Sequence, residues 1–481
     1  MKRKKWTALL AAALVVTTIG PAANAEKQRT IADESVYDLL VDRFFNYTDE
    51  NNENVDFQNP NAFNGGDLLG VKEKLSYIKD MGFTVINLGP IFETERYDGR
   101  LALSYEDIDK HFGTTKDLKA LVDTAHKQDM KITVDFPLSG VSAKHALAMN
   151  KNWAIPNEDG TINWNLNLPE VREALTDSAI SFVATNHLDG IRLIGTDGVD
   201  PQFLNDLVTA IKEADSSTYV IGDGDTGADF DLSMYGATED ILRKTFVAFD
   251  EPSSGLNELP KDGNGTSAVF VDTPEDSRYT YDIVSKRMFP PTRWHLIATA
   301  LLTLPGTPVI QYGTEIAVNG EKAPDTHPVL NFKADDELIK HIANLNELRN
   351  KSNALRTGKF ELLRNEDGMI VYKRWDDKDT WIITINNTSK TQHVDLTAED
   401  IGQERASLRG ILDGDLVRAS DNGTYRIGMD RETAEMYIVN EDRGINKGYI
   451  AALILVWVLF VGFLTVVWKQ GKKRRQEIKE K

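Results

Sequence analysis

The strongest constraint on the fold is an apolar stretch near the C-terminus. Residues 449–468 carry no charged side chain, and Tyr449 and Trp468 stand at the two edges of the stretch. Twenty helical residues are about 30 Å long, which matches the hydrocarbon core of a bilayer. Aromatic rings at the edges favour the two membrane interfaces. The stretch therefore predicts a single transmembrane helix over residues 449–468.

Basic residues after this stretch predict its orientation. Residues 469–481 contain seven Lys and Arg side chains and two Glu side chains. Because Lys and Arg next to a membrane span stay on the cytoplasmic side, residues 469–481 are expected to form a cytoplasmic tail. The rest of the chain is then extracellular, joined to the helix by a short polar linker at residues 441–448. The predicted location is the cell membrane, in a single-pass arrangement.

The N-terminus has the pattern of an export signal. Four basic residues at positions 2–5 precede an apolar run over residues 6–19, and Ala23 and Ala25 form a small-x-small site. This pattern predicts a cleaved signal peptide at residues 1–25. An uncleaved anchor is the alternative, although the run is shorter than the roughly 20 residues that span a membrane. The chain has no cysteine, which excludes disulfides and cysteine chemistry.

Charge restricts the kind of partner. The formal net charge is −19 at pH 7, and both ends of the chain are basic, so the part between them is more acidic still. A surface of this sign repels the phosphate backbone of nucleic acids. We therefore expect no nucleic-acid partner, and contact with the membrane through the C-terminal helix.

Between residues 34 and 350, short apolar segments alternate with amphipathic ones. Buried strands separated by helices are typical of a parallel sheet. The pattern favours a (β/α)8 TIM barrel over residues 34–350, with a short insertion after strand 3 at residues 137–168. A doubly wound open sheet fits the same periodicity. The predicted strands are 83–88, 131–135, 190–194, 219–222, 269–271 and 308–311, and the clearest helices are 116–128 and 202–214.

The pattern changes after about residue 355. Segments 369–373, 381–386 and 424–427 are rich in β-branched and aromatic residues and are separated by polar turns without helical patterns. This arrangement predicts a small antiparallel β-sandwich over residues 355–440.

Several strings in order resemble the α-amylase family, glycoside hydrolase family 13. They are residues 64–70, 81–92, 108–113 and 305–315, the last reading Pro-Gly-Thr-Pro-Val-Ile-Gln-Tyr-Gly-Thr-Glu. The resemblance implies a barrel followed by a β-sandwich. It also implies retaining glycoside hydrolysis by a nucleophilic and a protonated carboxyl group about 5–5.5 Å apart. A third carboxylate assists in this family, and all three stand at the C-terminal ends of barrel strands.

The catalytic positions of the family are altered in this chain. The family's Gly-x-Arg-x-Asp motif is present at residues 190–194 with Arg192 kept, but Ile194 occupies the position of the nucleophile. The acid/base position is Asp223 instead of Glu, and the third carboxylate position is Glu275, or Asp276 if the register shifts by one residue. An alkyl side chain cannot attack the anomeric carbon, so the resemblance predicts an impaired catalytic site.

Positions around the catalytic residues also depart from the family. Asp135 matches, but Ser139 and Gly140 stand where the family has Asn and His, and Arg100 stands where it has a stacking Tyr. The lost Asn and His imply that the family's calcium site is lost, so no metal or other cofactor is expected. Asp135 and Arg192 either bind substrate or form a structural ion pair in the barrel mouth.

Two tryptophans lie near the predicted insertion. Trp153 and Trp164 are candidates for stacking on sugar rings, since aromatic faces suit the apolar faces of sugars. Packing beneath the insertion explains them equally well. The substrate-binding candidates are thus Asp135, Arg192, Arg100, Trp153 and Trp164.

Three functional hypotheses follow. The leading one is a membrane-anchored α-amylase-family pseudoenzyme that binds an α-glucan, another glycan, or a membrane or cell-wall protein at the cell surface. The second is an active α-glucan hydrolase or transglycosylase that uses Asp223 and Glu275 as altered catalytic carboxylates. The third is a non-catalytic scaffold or assembly factor. The fold alone does not separate them, because function depends on the site.

Overall fold

The computed structural model describes residues 29–150, 152–234, 236–259, 267–366, 368–442 and 447–479. The predicted signal peptide, residues 1–25, lies outside the described residues, as do residues 443–446 of the predicted linker. The signal peptide therefore stays a prediction.

Eight parallel strands form the core of the larger domain. In the ring they follow one another in chain order, and the eighth pairs with the first. A parallel bridge between Ser233 and Ser267 joins the sixth strand to the seventh. The ring is thus closed, which confirms the TIM barrel and excludes the doubly wound open sheet. The barrel strands, first to eighth, are Val36–Asp38, Val85–Asn87, Lys131–Pro137, Gly190–Ile194, Tyr219–Gly222, Leu232–Ser233, Ala268–Val269 and Thr307–Gln311.

Helices surround the barrel; Pro290–Thr303 is buried along most of its length, whereas Pro201–Ala214 buries one apolar face. In Pro201–Ala214 the buried residues include Phe203, Leu207 and Ile211, which recur at the spacing of one helix face. This helix begins where the Asp200 side chain accepts a hydrogen bond from the backbone of Gln202. The helices of the barrel domain are Val41–Phe44, Leu68–Glu73, Leu75–Asp80, Thr115–His126, Pro169–Asn186, Pro201–Ala214, Gly236–Phe246, Tyr279–Ser285, Pro290–Thr303, Glu337–Lys351 and Asn353–Thr357, with 3-10 turns at Ile31–Asp33, Ala146–Met149, Ser254–Glu258 and Thr314–Ile316.

A small antiparallel sheet follows the third barrel strand. It consists of Ser139–Ser142, Ala154–Pro156 and Thr161–Trp164, with the third of these in the centre. The sheet lies within the insertion that the sequence predicted.

The C-terminal domain consists of two antiparallel sheets that pack face to face. Its core joins Val371 and Ile382 of the larger sheet to Leu396, Tyr425 and Ile427 of the smaller one. This confirms the predicted small antiparallel β domain. The larger sheet has the order Lys359–Glu366, Met369–Trp375, Thr380–Asn386, Thr433–Glu441, Ala406–Gly410 and Leu416–Arg418, and the smaller pairs Gln392–Leu396 with Tyr425–Met429; the helical turn Ala398–Ile401 connects them.

A long apolar helix, Lys447–Lys479, ends the described chain. Its part Gly448–Lys472 has a mean hydropathy of 2.9 and is long and apolar enough to cross a membrane. The side chains of this part are not buried against the rest of the protein. The helix is a candidate membrane span by its length and composition alone. The predicted range 449–468 lies within it.

Candidate functional site

Polar side chains converge where the barrel strands end. They come from different strands because the C-terminal ends of parallel strands meet at one mouth of the barrel. Asp38 ends the first strand, Asn87 the second and Gln311 the eighth, while Asp135 and Arg192 lie on the third and fourth. All five side chains are buried.

Arg192 is the centre of this cluster. Its guanidinium donates to both oxygens of Asp135, with Nε–Oδ1 and Nη2–Oδ2 distances of 2.7 Å. On the other side, Nη1 donates to Oδ2 of Asp38 at 2.6 Å. Asn87 Nδ2 donates to Asp38 at 2.9 Å and to Asp135 at 2.8 Å. Arg192 and Asp135 therefore form an ion pair inside the barrel mouth, and Asp38 is a third member that the sequence did not indicate.

The burial of this cluster shifts the acidity of its members. Burial raises the pKa of Asp38, and Asp135 raises it further, while Arg192 opposes both effects. Burial alone lowers the pKa of Arg192, but Asp135 and Asp38 raise it above the ordinary value for Arg. Two acids thus flank one permanent cation, and all three side chains are buried.

Ile194 ends the fourth strand and is 2% exposed. Its backbone carbonyl accepts a hydrogen bond from Leu138 N at 2.8 Å. The alkyl side chain contributes neither a nucleophile nor a charge to the mouth.

Asp223 follows the fifth strand and faces the loop after Ile194. Gly195 N donates to its Oδ2 at 2.6 Å, and Thr196 N donates to its Oδ1 at 3.1 Å. The Thr196 hydroxyl also donates to Oδ1. Both oxygens of Asp223 are therefore engaged in joining the loops that follow two neighbouring strands. A general acid needs an oxygen that faces the substrate.

A cavity of about 220 Å³ opens at the barrel mouth. Asp38, Asp135, Arg192 and Gln311 lie on its walls. Two further walls come from Arg100 and Glu275, whose side chains form an ion pair. The cavity is smaller than the roughly 300–1,000 Å³ of pockets that hold drug-sized ligands.

The Arg100–Glu275 ion pair joins the loops that follow the second and seventh strands. The Arg100 side chain is 30% exposed and the Glu275 side chain 47% exposed, so the pair lies at the rim. Burial lowers the pKa of Arg100, whereas Asp135 and Asp98 act against this effect. Asp98 itself pairs with Arg96 at 2.6 Å.

His327 positions the loop that carries Glu275. Its Nε2 lies 2.8 Å from the carbonyl oxygen of Pro274, and its Nδ1 lies 3.1 Å from the hydroxyl of Tyr97. Burial lowers the pKa of His327 to about 4, so the ring is neutral at pH 7. A neutral ring with Nε2–H donates to Pro274 and accepts from Tyr97.

The two tryptophans differ in position. Trp164 is 4% exposed, and its Nε1 donates to the Tyr105 hydroxyl at 3.0 Å. Trp164 thus packs beneath the insertion, one of the two alternatives that the sequence left open. Trp153 is partly buried against the core.

The residues at the expected calcium positions do not fit the ion. Ser139 donates its hydroxyl to the Gly195 carbonyl at 2.8 Å, and Gly140 has no side chain. Calcium prefers six to eight oxygen ligands, carboxylates among them. Within the described ranges no group of three or more His, Asp or Glu side chains is placed to hold a metal.

The sequence did not indicate Asp38, Gln311 or His327 as residues of the site. Asp38 and Gln311 each directly follow a short apolar run and end the first and eighth strands. A polar residue directly after an apolar run was the signal that could have marked them as residues of the barrel mouth. His327 lies in a loop with no such signal.

Two family models match the chain. A model of the α-amylase catalytic domain matches residues 41–159, and a model of the α-amylase C-terminal domain matches residues 358–437. Among curated proteins, a cyclomaltodextrinase of Geobacillus thermopakistaniensis is 27% identical over 402 residues, which cover 73% of this chain and 67% of that protein. A beta/alpha-amylase of Paenibacillus polymyxa is 25% identical over 84% of this chain, which spans only 38% of that relative's length.

Solved structures match over most of the chain. An Anoxybacillus α-amylase has a TM-score of 0.83 and 34% identity, with 87% of this chain and 100% of that chain covered. An α-amylase of Geobacillus thermoleovorans, complexed with acarbose, has a TM-score of 0.80 and 33% identity, with 86% and 100% covered.

Proposed function

This chain belongs to the α-amylase family of glycoside hydrolases, and we propose that it binds glycans at its barrel mouth without hydrolysing them by the family's two-carboxylate mechanism. The observation that carries this proposal is Ile194, a buried alkyl side chain at the end of the fourth strand. Without a nucleophile no glycosyl-enzyme intermediate forms, and the loss of such a group commonly lowers kcat by a factor on the order of 10⁶.

The state of the remaining carboxylates supports this proposal. Both oxygens of Asp223 accept hydrogen bonds from the loop residues Gly195 and Thr196. Asp38 and Asp135 both accept from Arg192. The acids near the mouth are thus engaged in structural contacts rather than poised for proton transfer.

Binding of a glycan is supported by the relatives. The structure of the Geobacillus thermoleovorans α-amylase is a complex with acarbose. The whole length of that amylase is covered by the similarity to this chain. In this chain the corresponding mouth keeps a cavity with hydrogen-bonding groups, among them Gln311 and Asp38. We propose α-glucans or related glycans as ligands, and a membrane or cell-wall protein as a further partner.

The location at the cell surface is also a proposal. We propose that residues 1–25 direct export, that residues 34–350 and 355–440 form the extracellular part, and that residues 449–468 cross the membrane. The apolar helix and the basic residues that follow it support this arrangement. A fixed position at the membrane suits a binding role better than digestion of a distant polymer.

The test uses the full chain in nanodiscs, because a maltoside detergent would compete for the site. Purified protein is incubated with starch and maltotriose, reducing ends are measured, and acarbose binding is followed by calorimetry. We expect saturable binding and no turnover. Turnover that the Asp223→Asn or Glu275→Gln variant abolishes would support the altered hydrolase instead. Absence of any glycan binding would favour the scaffold.

A further inference from the structure

The last strand of the C-terminal domain, Thr433–Glu441, runs from the mouth side of the barrel toward its base, the end where the barrel strands begin. Just before this strand, Glu432 accepts a hydrogen bond from Arg293 at 2.6 Å. Arg293 lies near the start of the helix Pro290–Thr303. Only residues 304–306 separate the end of this helix from the eighth barrel strand, so the helix ends at the base. Its start, and with it Arg293, therefore lies toward the mouth.

The other end of the strand lies at the base. Ile438 pairs in register with Trp381, whose Nε1 donates to the Ser352 hydroxyl at 3.0 Å. Ser352 directly follows the helix Glu337–Lys351. Near the end of that helix, Arg349 donates to two backbone carbonyls that lie shortly before the first and eighth barrel strands. The chain therefore leaves the C-terminal domain on the side of the barrel opposite the mouth.

A short segment joins this exit point to the apolar helix. Asp442 is held to the β-sandwich, because its backbone N donates to the Arg405 carbonyl at 3.0 Å. Residues 443–446 then lead to Lys447, where the long apolar helix begins. The five Cα–Cα steps from Asp442 to Lys447 reach at most about 18 Å. The start of the apolar helix is thus tied to the base side of the protein.

We propose that the base of the barrel and the adjoining end of the β-sandwich face the lipid headgroups, and that the barrel mouth opens away from the membrane. This inference rests on the proposed function, in particular on the membrane span. The tether is at most about 18 Å long, whereas the helix that separates Arg293 from the base has 14 residues and is about 21 Å long. The cavity at the mouth is then open to ligands that arrive from the cell-wall side.

Energy transfer from single labels to the lipids tests this orientation. Glu158→Cys and Asp377→Cys are a matched pair, since each removes an exposed acid from a turn between two strands. Position 158 lies in the insertion that follows the C-terminal end of the third barrel strand, on the mouth side. Position 377 lies in the turn before the strand that carries Trp381, at the base.

The full chain of each variant carries a donor dye at its cysteine and is placed in nanodiscs whose headgroups carry an acceptor dye. We expect transfer from position 377 to be about twofold more efficient, because the two positions differ in height by about the length of a barrel helix. Inserting about 20 Gly and Ser residues between residues 444 and 445 adds a flexible segment of about 25 Å. This insertion should lower the transfer from position 377.

Three results would overturn the inference. Equal transfer from the two positions, or more from position 158, would show that the mouth does not point away from the lipids, while the membrane span stands. Transfer from position 377 that the insertion leaves unchanged would show that the short tether does not hold the base near the lipids. If the full chain does not stay with the nanodiscs and neither label transfers energy, the proposed membrane span is wrong and this inference falls with it.

Discussion

The guanidinium of Arg192 and the carboxylate of Asp135 meet in a two-pronged ion pair at the barrel mouth, with both N–O distances at 2.7 Å. Parallel hydrogen bonds of this kind are among the strongest that a carboxylate makes. Asp38 accepts a hydrogen bond from the same guanidinium, so Arg192 is paired with a carboxylate on each side. A motif residue that the family keeps is thus part of the internal support of this barrel.

We expect Arg192→Met to destabilise the protein strongly. The substitution leaves Asp38 and Asp135 buried without their cation, which commonly costs about 3–5 kcal/mol. Urea unfolding of the full chain measures the change. Arg426→Met is the control, because Arg426 pairs with Asp395 on an exposed surface and should have little effect. An Arg192→Met variant as stable as the control would show that the cluster is not a support.

Restoring the nucleophile alone should not restore hydrolysis. In Ile194→Asp, the acid/base position is still engaged by Gly195 and Thr196, and Arg100 still occupies the mouth. A new carboxylate at a position that is 2% exposed should also lower Tm. Release of reducing ends from maltotriose is the measurement. Clear hydrolysis by this single variant would mean that the remaining carboxylates are positioned for catalysis.

Acid should destabilise the protein through buried histidine. His145 is fully buried, and burial lowers its pKa to about 4. The pKa of His145 in the folded protein lies below the unfolded value of about 6.5. The contribution of this residue to the free energy of unfolding is therefore present in full above pH 6.5 and is lost as the pH falls toward 4. Between pH 6.5 and pH 4 the free energy of unfolding should decrease less for His145→Asn than for the unchanged protein. The difference between the two decreases should be up to about 3 kcal/mol. Equal pH slopes for the two proteins would contradict this expectation.

Chelation of metal should leave stability unchanged. Ser139 and Gly140 provide no carboxylate where the family's calcium ligands are expected, so we propose that the protein folds without calcium. EDTA should not lower Tm, and millimolar calcium should not raise it. A bound ion at one hundred times its Kd would add about 2.7 kcal/mol, which a thermal melt detects easily. A calcium-dependent rise in Tm would show that ligands exist elsewhere.

The orientation in the membrane can be measured by labelling introduced cysteines, because the chain has no cysteine of its own. A membrane-impermeant maleimide applied to intact cells should label a Gln202→Cys variant but not a Gln476→Cys variant. Permeabilised cells should show labelling at both positions. Labelling of position 476 on intact cells would place the tail outside and would contradict the proposed topology.

Local patterns predicted the barrel well where strands are long. The strands Gly190–Ile194 and Tyr219–Gly222 lie where the sequence placed them. The first strand, Val36–Asp38, and the sixth, Leu232–Ser233, were missed. The strands Val85–Asn87 and Ala268–Val269 are equally short, but the apolar segments 83–88 and 269–271 marked them, whereas Leu232 stands between Asp231 and Ser233. The closure of the ring was also left open, since periodicity describes one strand and not its neighbours.

The sequence by itself determined the family resemblance, the apolar helix and the identity of Ile194 at the end of a strand. Each of these depends on residues close together in the chain. Only the tertiary structure brought Arg192 to Asp38, which is 154 positions away, and Arg100 to Glu275. Such contacts depend on the register and closure of eight strands. Local sequence patterns do not show how the eight strands close into a barrel, and this closure determines which side chains lie together at the barrel mouth.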